Sequence, residues 1–126
     1  MEDAIRVLAC IQFFIIGVSH LARPGAWIAW FAALRAQGTL GAFANGFLSL
    51  WCGSLIVAFH NVWSGLPAIL TVIGWIQLGK AAVAFTLPEV SLRGFDRARS
   101  PWQFRVAGVA SIALSGVLLH VLTRAR

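Results

Sequence analysis

The sequence predicts an all-α, polytopic membrane protein with four transmembrane helices in a bundle, and three observations lead there. Of its 126 residues, 60% are hydrophobic and only 11% are charged, whereas ordinary soluble domains are about a quarter charged. Mean hydropathy is +0.84, more apolar side chain than a soluble fold of this length can hide, because roughly a third of the chain's surface stays wet after folding. The apolar residues also gather into four stretches, near 4–21, 40–59, 66–85 and 104–122, each about long enough to cross a hydrocarbon core. In lipid such stretches must be helices, since every backbone N–H and C=O needs an internal partner. Residues 1–126 are therefore expected to form one transmembrane domain.

The first span follows Glu2 and Asp3, where a secretory signal would carry positive charge, so it is expected to be retained. After Pro24 come Trp27, Trp30, Phe31 and Leu34 at i, i+3, i+4 and i+7, with Arg35 off that stripe. This pattern predicts an amphipathic helix in the first loop, lying in the interface.

In the second span Gly38, Ala42, Asn45, Ser49, Gly53, Ile56 and His60 share one helical face. Small residues let helices approach closely in lipid, and Asn or Ser adds a hydrogen bond, so the face is expected to be a packing seam. A solute-lining face is the competing expectation.

The run "FHNVWSGLPAILTVIGW" places a polar knot between two apolar stretches. It predicts a tight turn at the outer surface, with His60 and Asn61 capping and solvated, Trp63 at headgroup depth and Pro67 in the first turn of the next helix. The third span carries Thr71, Gly74, Gln77 and Lys80. Lys80 is the one ionisable residue well inside a predicted span, a functional candidate whose four-carbon stem can also snorkel to the interface. In the third loop, Ser100-Pro101-Trp102-Gln103 reads as an N-cap, a proline at N1 and a glutamine reaching back. The fourth span offers Gly108, Ser111 and Ser115 as a matching strip, with His120 near its outer end.

Arg6, Arg124 and Arg126 accompany the termini and second loop, while Arg23, Arg35, Lys80, Arg93, Arg97, Arg99 and Arg105 accompany the first and third loops. The positive-inside rule then places both termini outside and both basic loops in the cytoplasm. With the charge spread this way and no basic stripe, nucleic acid is not an expected partner. The two halves also echo each other. Pro24 and Pro88 each end a span, Ile11-Gln12 and Ile76-Gln77 precede them at about equal distance, and His60 and His120 both lie near outer ends. Two parallel-repeat helical hairpins are the architecture this echo predicts.

The segment "FHNVWSGLPAILTVIGWIQLGK" resembles one in small four-helix bacterial membrane proteins of unknown function. The second half is similar to two-helix inner-membrane proteins that share a helix, Pro, Arg, Gly, Gly hairpin. The resemblance implies a bacterial inner-membrane location and brings no activity with it.

Among candidate sites, Gln12, Ser49, Gln77 and Ser111 are expected at similar depth, about 12 to 17 Å from the outer boundary at the helical rise. Asn45, Ser49, Gly53, Gln77, Lys80, Ser111 and Ser115 are the helix-packing or solute-lining candidates, and His60, Asn61 and His120 an outer-surface polar cluster. Cys10 and Cys52 stand in apolar runs without a CxxC, so neither a disulfide framework nor a metal site is expected. Nothing assembles a nucleophile with a base and an orienting group. The expected function is a non-catalytic accessory or assembly subunit without cofactor, whose partners are the lipid bilayer and other membrane subunits or further copies of the chain. A small channel or transporter for an uncharged or anionic solute is the alternative, and a haem- or quinone-binding subunit using His60 and His120 a third.

Overall fold

The computed structural model of the protein describes residues 1–125; Arg126, counted above among the outer arginines, lies outside them. Six helices follow in order: α1 (Glu2–Ala22), α2 (Pro24–Ala36), α3 (Thr39–Phe59), α4 (Ala68–Thr86), α5 (Pro88–Asp96) and α6 (Pro101–Arg124). Helices α1, α3, α4 and α6 are long and apolar enough to cross a membrane, since about 20 residues at 1.5 Å each span about 30 Å. The chain is a multi-pass, all-helical membrane protein.

Proline sets the breaks after α1 and α4. The ring of Pro24 or Pro88 disfavours helical backbone in the residue before it, and Arg23 (φ −135°, ψ 55°) and Leu87 (φ −133°, ψ 65°) leave the helix in nearly the same conformation. Each of these residues ends one helix and begins the next. The arginine-bearing connection after Pro88 contains a helix the sequence pattern did not predict, α5, with Pro88 at its start and Glu89 in its first turn. Helix α6 starts where predicted, and the Ser100 N–H donates to Gln103 Oε1 at 3.4 Å. In α2, Leu34 is buried and Trp27 and Phe31 are half-buried, whereas Trp30 faces out.

The spans pack as two pairs, α1 along α6 and α3 along α4, with α2 and α5 side by side at the end opposite the α3–α4 turn. Glycines bring each pair together. A Cβ at Gly17 would stand 2.9 Å from the Gly108 carbonyl oxygen, and one at Gly53 would stand 2.9 Å from the Gly74 carbonyl oxygen. Backbone contact of this kind is how helices associate in lipid, where no hydrophobic force drives them together.

The predicted repeat is visible in these contacts. Shifting α1 and α2 by 64 positions, as from Pro24 to Pro88, and α3 by 62, as from the N-cap Gly38 to the N-cap Ser100, superposes one pair's contacts on the other's. Gly46 faces Ala84 and Phe85; its counterpart Gly108 faces their counterparts His20 and Leu21. Gly53 approaches the Gly74 carbonyl, and Ser115 Oγ–H donates to the Cys10 carbonyl at 2.9 Å. Phe31 and Phe95 are counterparts as well, and their ring centroids meet at 5.6 Å. This is the pattern of a two-fold axis running along the spans, between α2 and α5. Two pairings suggested by the sequence echo do not obey it: Gln77 corresponds to Phe13 rather than Gln12, and His60 to Leu122 rather than His120.

Candidate functional site

Where α3 ends, the chain leaves regular structure from His60 to Trp63 and turns at Gly65, whose φ of +67° suits a residue without Cβ. The polar residues there do not all face water. His60 is 0% exposed and Thr71 likewise, with Arg6 close behind at 8%. Arg6 Nε–H donates to His60 Nε2 at 3.0 Å. That bond fixes the tautomer, leaving the ring proton on Nδ1, 3.2 Å from Thr71 Oγ1. The Val62 N–H also donates to Thr71 Oγ1, at 3.0 Å, and the Thr71 hydroxyl donates to the Val62 carbonyl at 2.7 Å. The Arg6 guanidinium completes its bonding with Asp3 at 2.9 Å and Glu2 at 3.4 Å, one turn back on α1.

This clasp ties α1 of one helix pair to the α3–α4 turn of the other. Beneath it Ile5, Ala9, Ile56, Leu70 and Leu118, drawn from all four spans, form the apolar core. Burial, and next the Arg6 charge, hold the His60 imidazole below its ordinary pKa of 6.5.

The expected outer-surface cluster is thus corrected. His60 is a buried bonding hub and not a solvated cap, because Arg6 and Thr71 supply partners that water would otherwise provide. Asn61 is exposed and accepts a bond from Trp75 Nε1–H at 3.3 Å. His120 is exposed on α6 and takes no part in the clasp. Because the free lone pair of His60 points at Arg6, ligation of iron there would first have to break that bond.

The expected mid-membrane layer is not one site either. Gln77 and Gln12 line a cavity of about 200 Å³ between α1, α3 and α4, otherwise walled by apolar side chains including Trp51 and Leu55. Asn45 and Lys80 line a second cavity of about 530 Å³ between α3, α4 and α5, with Ser91, Gly94 and Phe95. Ser49 is buried, its repeat counterpart Ser111 half-buried. Ser115 is a seam residue bonded to α1, and Gly53 a seam residue against α4. Cys10 faces Ser115 Oγ at 3.2 Å while Cys52 is exposed, so the two thiols look to different neighbours.

Sequence reasoning missed Arg6 and Thr71 as partners of His60. A signal existed for Arg6: acids three and four residues before it can shield its charge within a helix. Thr71 gave none, since its partners come from a turn whose path the sequence does not specify. No protein-family model, curated protein or solved structure matches the chain.

Proposed function

We propose that the chain is a non-catalytic integral subunit of the bacterial inner membrane, with both termini outside, that acts by packing laterally against the spans of a partner or of a second copy. The observation that carries this is Gly116. Within a helix, glycine costs roughly 0.5–1 kcal/mol relative to alanine. The seam glycines offset that cost through close contact inside the chain, but nothing lies within 4 Å of where a Gly116 Cβ would stand. Gly116 is exposed with Ala113 and Ala110 one and two turns before it, so another backbone could approach closely there. The polar groups of the clasp, meanwhile, are occupied in holding the two pairs together. Co-purification in mild detergent tests the proposal. A stoichiometric partner or oligomer that is lost in Gly116→Ile agrees with it, whereas a wild-type chain that stays monomeric and alone contradicts it.

Passage of an uncharged solute is the second reading, favoured by Gln12 and Gln77 both lining an otherwise apolar cavity. Flux into proteoliposomes that disappears in Gln77→Leu supports it; flux unchanged by that variant counts against it.

A further inference from the structure

The two halves of the repeat differ most where the second cavity lies. In the first half, Trp27 fills the space between α2 and α1: its Nε1–H donates to Ser19 Oγ at 2.9 Å and its ring stacks on His20 at 4.3 Å. By the shift of 64, Trp27 corresponds to Ser91, Trp30 to Gly94, Ser19 to Val83, and Ile15 and Ile16 to Gly79 and Lys80. Ser91, Gly94, Val83, Gly79 and Lys80 are all walls of the 530 Å³ cavity. Ser91 leaves open the space that Trp27 occupies in the first half, whereas Trp30 and Ile15, the counterparts of Gly94 and Gly79, are exposed. The hollow is also polarised, because isoleucine is replaced there by lysine. The Trp27 contacts show that the same backbone arrangement accommodates a large side chain at this position.

We propose that this cavity binds the phosphate head and upper chain of an anionic membrane lipid, with Lys80 as its counter-charge. Lys80 stands six residues before the end of α4 at Thr86, about 9 Å along the helix, a depth at which an ammonium is costly without an anion or a route to water. It forms no ion pair among the described residues. The Asn45 amide and Ser91 hydroxyl line the same cavity and can donate to phosphate oxygens, while Val83, Val90 and Phe95 offer an apolar wall for acyl chain. The size lies in the usual range for small-ligand sites. No acidic residue lines it.

The test measures retention of radiolabelled phosphatidate and phosphatidylcholine by the full chain in mild detergent, with inorganic phosphate as competitor. The wild type is expected to prefer phosphatidate by about tenfold, equivalent to about 1.4 kcal/mol. Lys80→Gln should remove the preference and Lys80→Arg keep most of it. Ser91→Trp, which installs the first half's solution, should abolish binding while helicity and thermal midpoint are maintained. Arg93→Gln, at an exposed residue outside the cavity, should leave the preference intact. Equal retention of both lipids by the wild type overturns the proposal, as does a preference that survives Ser91→Trp in a folded chain. A preference lost in Arg93→Gln as fully as in Lys80→Gln identifies surface charge instead, and competition by inorganic phosphate as strong as by phosphatidate identifies a soluble anion; either result overturns the lipid site.

Discussion

Arg6 and His60, 54 positions apart, meet through a 3.0 Å hydrogen bond in which the guanidinium Nε–H donates to the unprotonated ring nitrogen. A protonated His60 could not accept it, and would place a second positive charge beside the first. The folded chain therefore takes up this proton at lower pH than the unfolded chain, because burial and the Arg6 charge hold the ring below 6.5, opposed only in part by a backbone bond and by Glu2. Its contribution is complete above pH 6.5 and declines as pH falls below it. Thermal midpoints in detergent should therefore drop as pH is lowered from 6.5. His60→Gln keeps an acceptor that does not titrate, so its midpoint should change less over the same range. Equal slopes for both proteins would contradict the assignment.

Thr71 joins the ring to the turn. Thr71→Val keeps the shape but strands the Val62 N–H and the His60 Nδ1–H, each buried polar group costing about 1–3 kcal/mol. Thr71→Ser retains the hydroxyl and should remain close to wild type. Denaturant midpoints for the two variants check this, and a Thr71→Val protein as stable as Thr71→Ser would remove the hydroxyl from the clasp.

Glycine substitutions should divide by position. At Gly53 an added methyl meets the Leu78 nitrogen at 2.8 Å and the Gly74 oxygen at 2.9 Å. Both are backbone atoms, so α3 and α4 must separate and Gly53→Ala should destabilise the chain by about 1–3 kcal/mol. Gly116→Ala meets nothing within 4 Å and should leave the detergent-solubilised monomer as stable or gain up to about 1 kcal/mol of helix propensity. Parallel thermal scans decide it, and similar losses at both sites would refute the seam.

The spans were legible in the sequence because lipid demands long uninterrupted apolar helices, and α6's start because Ser100, Pro101 and Gln103 form a local signal. The seam face of α3 was legible for the same reason: Ala42, Ser49, Gly53 and Ile56 recur at helical spacing, and all are buried. What the sequence did not display is which span pairs with which, since apolar faces in lipid carry no alternation to mark a partner. That is why His60 read as a surface residue, its partner Arg6 lying 54 positions away. Helix α5 escaped because its nine residues are too short to establish a period and rich in charge. The repeat was legible in its prolines but not in its register, which only close contacts such as Gly46 with Ala84 define.

At the end opposite the clasp, α2 and α5 are tied together, where Arg35 Nε–H donates to Asp96 Oδ1 at 2.9 Å. Both groups are partly exposed, so the pair is worth at most about 1 kcal/mol. Asp96→Asn should accordingly lower stability by less than Thr71→Val does, measured in the same denaturant series; a larger loss would make the α2–α5 contact the principal link.

The proposed membrane subunit holds the clasp and the α2–α5 layer on opposite sides of a bilayer. Single thiols at Ser64 and Arg97, in a chain with Cys10 and Cys52 replaced by alanine, report this through a membrane-impermeant maleimide applied to intact cells. Labelling of Ser64→Cys from outside, with Arg97→Cys reacting only after the membrane is opened, is the predicted result. Reaction of both positions from the same side would contradict it.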